Sequence, residues 1–137
     1  MADYDSNRIR KHEFTRPDKE DDRVRQIEAL NAQTGPVLLA HPDAPEVDAL
    51  LAQASAGEPD ADVTADDGIR HTLWAIRDAA VLQRLTFAFD AMPALYIADG
   101  HHRSAAASRV AAARRAKNAH HTGAEDYNYF LAVIFPH

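Results

Sequence analysis

The sequence predicts an α/β fold, a small mixed β-sheet flanked by helices. Three observations carry that reading. Apolar runs of strand length recur at 37–41, 94–98 and 127–135. Segments whose apolar residues repeat at helical spacing alternate with them. Clusters of turn formers, Thr34-Gly35-Pro36, Ala56-Gly57-Glu58-Pro59 and Asp99-Gly100, separate the two kinds of segment. The expected order is β-α-β-α-β-β-α-β-α-β, as one domain over residues 1–137.

Residues 1–19 are polar, and Ile9 and Phe14 bracket a short strand over 9–15. Pro17, followed by acidic residues, opens a helix over 18–33. Its apolar stripe is Val24, Ile27, Ala29 and Leu30, and Thr34-Gly35-Pro36 ends it. The run 37–41 is a buried strand. A second helix spans 45–55, with Val47, Leu50 and Leu51 on one face. Asp67-Gly68 turns a hairpin whose arms are 62–66 and 69–76, with His71 half-buried beside Trp74. Asp78 caps a helix over 79–89 that turns Val81, Leu82, Leu85 and Phe89 inward. Strand 94–98 leads through a sharp turn into an Ala-rich helix over 102–118. The β-rich run 127–135 is expected to be a central strand. The chain stops just beyond it, so a fragment of a longer protein is expected, with an exposed edge able to pair in a homodimer.

Composition narrows the function. The net charge is −6 across 137 residues, which argues against general affinity for nucleic acid or an anionic membrane surface. The absence of cysteine excludes disulfides, thiolate catalysis and Cys-ligated zinc, and suits a cytoplasmic protein. No apolar run approaches the roughly 20 residues of a membrane-spanning helix, and residues 1–5 carry no apolar signal segment.

The chemistry concentrates in Asp99-Gly100-His101-His102-Arg103-Ser104. A strand that enters a helix through a glycine turn presents unpaired backbone N–H groups and the positive end of the helix dipole, which is an anion site. Arg103 can fork onto a phosphate or carboxylate. Asp99 can hold a cation or accept a proton. Ser104 sits in the first helical turn rather than in a nucleophile elbow, and His101 faces either the site or solvent. A second cluster, Lys11-His12-Glu13 with Arg16, Lys19 and Arg23, has two readings. It is a solvated charged face, or it lies beside the turn with Glu13 as a general base and Lys19 and Arg23 on one helical side as phosphate binders. The pairs His101-His102 and His120-His121 lack the spacing of a helical zinc motif. His41 is either a core residue or one that reaches the site. Arg109, Arg114, Arg115 and Lys117 give the last helix a basic side, but without the Asn and Gln readers of a DNA-recognition helix.

Lys11-His12-Glu13, Lys19-Glu20-x-x-Arg23, Asn31-Ala32-x-Thr34-Gly35-Pro36-Val37 and Asp99-Gly100-His101-His102-Arg103-Ser104 together resemble the bacterial domain of unknown function 1015 family over nearly the whole chain. Its members are longer, which implies that this chain lacks both ends. The Asp-Gly-His-His-Arg turn is similar to that of the ParB/sulfiredoxin superfamily, whose free-serine kinases carry a closely related turn. That resemblance implies a ParB/sulfiredoxin-like fold and a phosphorylated small-molecule ligand. It implies Mg²⁺ with a nucleotide (ADP, ATP or CTP) and phosphoryl transfer to a small hydroxyl substrate such as serine. Gly100, His101, Arg103, Ser104, Lys11 and His12 would bind the phosphate or nucleotide. Asp99 would coordinate the metal or act as a catalytic acid, with His102 and Glu13 as further catalytic groups. Sulfiredoxin chemistry does not carry over, since His101 stands where a Cys is needed. The alternative is a non-catalytic nucleotide-binding regulatory module.

Overall fold

The computed structural model describes all 137 residues and has a mixed α/β fold. The chain divides into two compact units, one formed by residues 1–42 and 93–137, the other by residues 43–92.

The first unit is built on a four-stranded sheet. Its strands are β1 (Ile9–Arg10), β2 (Val37–His41), β5 (Leu95–Asp99) and β6 (Ala132–Pro136), in the order β1-β5-β2-β6. The sheet is mixed: β1 runs parallel to β5, β5 antiparallel to β2, and β2 parallel to β6. Alternate residues of β2 (Val37, Leu39 and His41) are buried, as are Leu95 and Ile97 of β5, the period of two that a one-sided core demands. Three helices complete the unit: α1 (Ala2–Asp5), α2 (Pro17–Leu30) and α5 (His101–Lys117), followed by a single 3₁₀ turn at Asp126–Asn128. Helix α5 buries Ala105, Ala106, Ala107, Val110 and Ala111. These short side chains let α2 pack along it. Arg109 reaches from α5 to Glu20 (3.1 Å) and Asp21 (2.7 Å) on α2, so the basic side of α5 is partly spent on its neighbour.

The second unit holds α3 (Pro45–Ala54), the hairpin β3 (Ala61–Thr64) with β4 (Arg70–Leu73), and α4 (Ala79–Asp90). Asp78 caps α4 as expected, its carboxylate accepting from the N–H groups of Ala80 (2.8 Å) and Val81 (3.0 Å). The hairpin turns at Gly68, φ +82°.

Several expectations are corrected. The strand expected over 9–15 ends at Arg10, and Phe14 is fully exposed. Its spacing from Ile9 mimicked a strand, but Lys11–Arg16 form no ladder. The run 127–135 is not a central strand. It opens with the 3₁₀ turn, and the strand that follows, β6, lies at the sheet edge with Val133 and Phe135 exposed. His71 is exposed rather than half-buried, because both faces of the hairpin are open. Leu82 on α4 and Leu30 on α2 are exposed as well. Helix α1 was not foreseen in the polar N-terminal stretch; it buries Tyr4, whose ring meets Phe130 edge-on at 6.4 Å.

Ile97, fully buried in β5, tests the sheet. Ile97→Ala should cost about 2–5 kcal/mol in denaturant unfolding through lost burial and a cavity. A cost below about 1 kcal/mol would show that β5 is not the centre of the core.

Candidate functional site

Strand β5 ends at Asp99 and α5 begins at His101, so Gly100 alone makes the turn. Its φ of +100° lies where side chains are strained. A Cβ there would lie 3.2 Å from the Val37 Cα and 3.1 Å from Arg103 Nη2. The pairing of β5 with β2 slips between Leu38 and Leu39 beside this turn, so Leu38 faces Asp99 while Leu39 faces Ile97. Such irregularities re-aim backbone next to sites.

Arg103 lies across two glycines. Its side chain runs 3.2 Å from where a Cβ on Gly35 would be, and closer still to that of Gly100. Its Nη2 donates to Asp99 Oδ2 at 2.7 Å, while its Nε is buried without a partner. That bond holds the Asp99 carboxyl below its ordinary range, with burial opposing. Asp99 is largely exposed, at 70 % of its side chain. In the sequence, Thr34-Gly35-Pro36 reads as a helix stop; in the fold, Gly35 also makes room for Arg103. Nothing in sequence spacing joins it to Arg103.

A cleft of about 460 Å³ opens at the N-terminus of α5. Arg103 and His102 line it from α5, Lys19 and Arg23 from α2, and Arg16 from the residue just before α2. Of the second cluster, Glu13, Arg16, Lys19 and Arg23 lie beside the turn, and Glu13, Arg16 and Lys19 are also solvent-exposed. Positions 19 and 23 fall on one helical face, and Arg16 is the extended residue that precedes the helix. Glu13 and Asp99 are the carboxylates in the cleft. Four cationic side chains thus meet two carboxylates, in a protein whose net charge is −6. His102 Nε2 accepts the Arg16 backbone N–H at 3.1 Å, tying the start of α2 to the start of α5.

His101 turns inward. Its side chain is 4 % exposed, with Nδ1 3.5 Å from Glu13 Oε2. Nε2 accepts a long 3.5 Å bond from the His12 N–H, and the two imidazoles meet edge to face at 4.5 Å. Burial first, then the neighbouring His12, lowers the His101 pKa, with Glu13 and Asp99 opposing. Lys11 turns away from the cleft, its ammonium 3.8 Å from the centre of the Tyr4 ring. Lys11 and His12 instead line a neighbouring hollow of about 340 Å³, into which Glu13 and His101 also look. Ser104 is fully buried, its hydroxyl within bonding distance of the Gly100 (3.1 Å) and His101 (3.0 Å) carbonyls.

His41 is a buried core residue at the far end of the sheet. Because β2 runs antiparallel to β5, its C-terminal end lies away from Asp99. His121 contacts the Tyr127 hydroxyl (2.8 Å) and Glu125 (3.0 Å) in a local loop.

The fold and this cleft define a mixed α/β protein with a cationic pocket at a strand-to-helix turn. A family model described as a protein of unknown function (DUF1015) matches residues 1–137, and the chain belongs to that family. No curated protein and no solved structure gives a significant match. No helix is long and apolar enough to cross a membrane.

Two expectations follow. Gly100→Ala should destabilise the protein by at least about 1–2 kcal/mol in denaturant unfolding, the cost of a left-handed alanine; an unchanged midpoint would mean the turn relaxes freely. Burial lowers the His101 pKa below its unfolded value of about 6.5, so the unfolded chain binds more protons and stability falls as pH drops below about 7. His101→Gln should flatten that decline in unfolding midpoint between about pH 7 and 5, whereas an equally steep variant would place the cause elsewhere. The Asp99–Arg103 pair acts in a lower window: its stabilisation is lost as the carboxylate protonates below about pH 4.

Proposed function

We propose that this protein binds the phosphates of a nucleotide in the cleft at the N-terminus of α5 and transfers a phosphoryl group to a small hydroxyl compound such as serine. The observation that carries the reading is the meeting of Arg16, Lys19, Arg23 and Arg103 at one helix N-terminus. Arg16, Arg23 and Arg103 each meet a carboxylate, Asp18, Asp22 and Asp99, but in exposed pairs that hold only part of each guanidinium's five donors, so donors remain for an incoming anion. The first amides of α5 add donors in the same direction. The similarity of the Asp99–Ser104 turn to ParB/sulfiredoxin proteins supports the same assignment and a ParB/sulfiredoxin-like fold.

In this mechanism Arg103 and the α5 amides hold the phosphates and neutralise charge that develops during transfer. Lys19 and Arg23 position the outer phosphate from α2. Glu13 accepts the proton of the substrate hydroxyl as its oxygen forms the new bond to phosphorus. The bond from phosphorus to the leaving phosphate breaks on the opposite side. His102, pinned by the Arg16 amide, keeps the two helix starts in register and offers its free edge to the substrate. Mg²⁺, when bound, supplies charge neutralisation between phosphates. Asp99 fits its preference for one or two exposed carboxylates together with phosphate oxygens.

The test is a thermal-shift screen with ADP, ATP, CTP and phosphoserine, each with Mg²⁺, on the protein and its Arg103→Ala variant. A ligand at 100 times its dissociation constant adds about 2.7 kcal/mol, a shift of several degrees. The shift should vanish in Arg103→Ala. No shift with any of the four ligands would overturn the reading, and a shift retained in the variant would move the site away from the turn. Glu13→Gln should keep the nucleotide shift and lose turnover. Nucleotide binding with no turnover in the unaltered protein would favour the regulatory module instead.

A further inference from the structure

The wall shared by the cationic cleft and the hollow beside it carries a second constellation. His12, Glu13 and His101 each offer a ligand atom, and these atoms all lie within 4.8 Å of one another. His101 Nδ1 lies 3.5 Å from Glu13 Oε2, and His12 Nε2 lies 3.9 Å from Glu13 Oε1. A tetrahedral ion about 2.0–2.1 Å from each donor needs donor pairs about 3.4 Å apart. The cluster is therefore within a side-chain rotation of closing on an ion.

We propose that His12, Glu13 and His101 form a binding site for a divalent transition metal such as zinc, manganese or iron. The site lies apart from the Asp99 carboxylate and does not depend on the phosphate reading. Two imidazoles and one carboxylate are the donor set of such ions, whereas Mg²⁺ and Ca²⁺ prefer oxygen alone. Three protein ligands leave coordination positions open to water or substrate.

The setting favours the ion. His101 is held from both sides, within buried surroundings at the first turn of α5, so one ligand is already oriented. Burial also favours the neutral ring, the form that ligates. His12 and Glu13 lie on the irregular segment between β1 and α2 and are exposed, so they can close without disturbing the sheet. Ligation through Nδ1 would move the remaining ring proton to Nε2. The bond given up is the long one from the His12 amide. Ligation would also occupy the Glu13 carboxylate, so the metal-loaded and metal-free proteins differ in the base available to the cleft.

The experiment uses the metal alone. Untagged protein stripped with a chelator is titrated with Zn²⁺ by calorimetry and with Co²⁺ by visible absorption, without nucleotide. The expected result is one site per chain, with Co²⁺ bands of a low-coordinate nitrogen and oxygen environment. His12→Ala and Glu13→Gln should each weaken that site by roughly tenfold or more, while His120→Ala should leave it intact. Both weakening substitutions are at exposed positions, and circular dichroism checks their fold. Absence of binding to the unaltered protein would overturn the proposal, as would titrations that His12→Ala and Glu13→Gln leave unchanged. Failure here leaves the Arg103-dependent nucleotide shift untouched, and failure of that shift leaves this titration untouched.

Discussion

The turn at Gly100 sets everything around it. One residue carries the chain from β5 into α5, in a left-handed conformation that a side chain would resist, within 3.2 Å of the Val37 Cα where its Cβ would be. Because the turn is so short, Asp99 and Arg103 fall at opposite sides of it and meet at 2.7 Å. Because Gly35 and Gly100 have no side chains, the stem of Arg103 lies flat across both. The helix axis, the carboxylate and the guanidinium are thereby placed by backbone geometry, before any ligand contributes.

Helix α2 depends on that placement for its own role. The Ala-rich face of α5 admits it closely, and Arg109 clasps Glu20 and Asp21. His102 holds the Arg16 amide. With both ends of the contact fastened, Arg16, Lys19 and Arg23 line the cleft at the start of α5. The acidic residues of the chain are not idle in this arrangement. Glu20 and Asp21 of α2 bind α5, while Asp18 and Asp22 pair with Arg16 and Arg23 beside the cleft. A net charge of −6 for the whole chain and a cationic cleft are thus compatible, since one describes the sum and the other its distribution.

The errors of sequence reading share a cause. Phe14, His71 and the run 127–135 were placed by local apolar content. Burial, however, is decided by what packs against a face. Segment 11–16 leaves the sheet after two residues of β1, so Phe14 has no face to fill. The hairpin of the second unit is open on both faces. Strand β6 pairs only with β2 and lies at the edge, although its composition resembles that of a central strand.

The sequence by itself determined the local pieces. Gly100 between an apolar run and an Ala-rich stretch, Pro17 before acidic residues and Asp78 before Ala79 are chemical signals that act within a few residues. They marked the turn, two helix starts and the residues Asp99 to Arg103. Tertiary structure decided which distant pieces meet. The antiparallel pairing of β2 with β5 brings Gly35 to Arg103 and sends His41 to the opposite end. The same packing buries His101 against His12 and Glu13, 88 or more positions earlier in the chain. No periodicity links residues that far apart. Their proximity follows from strand order and helix packing, which depend on the summed burial of the whole core rather than on any short motif.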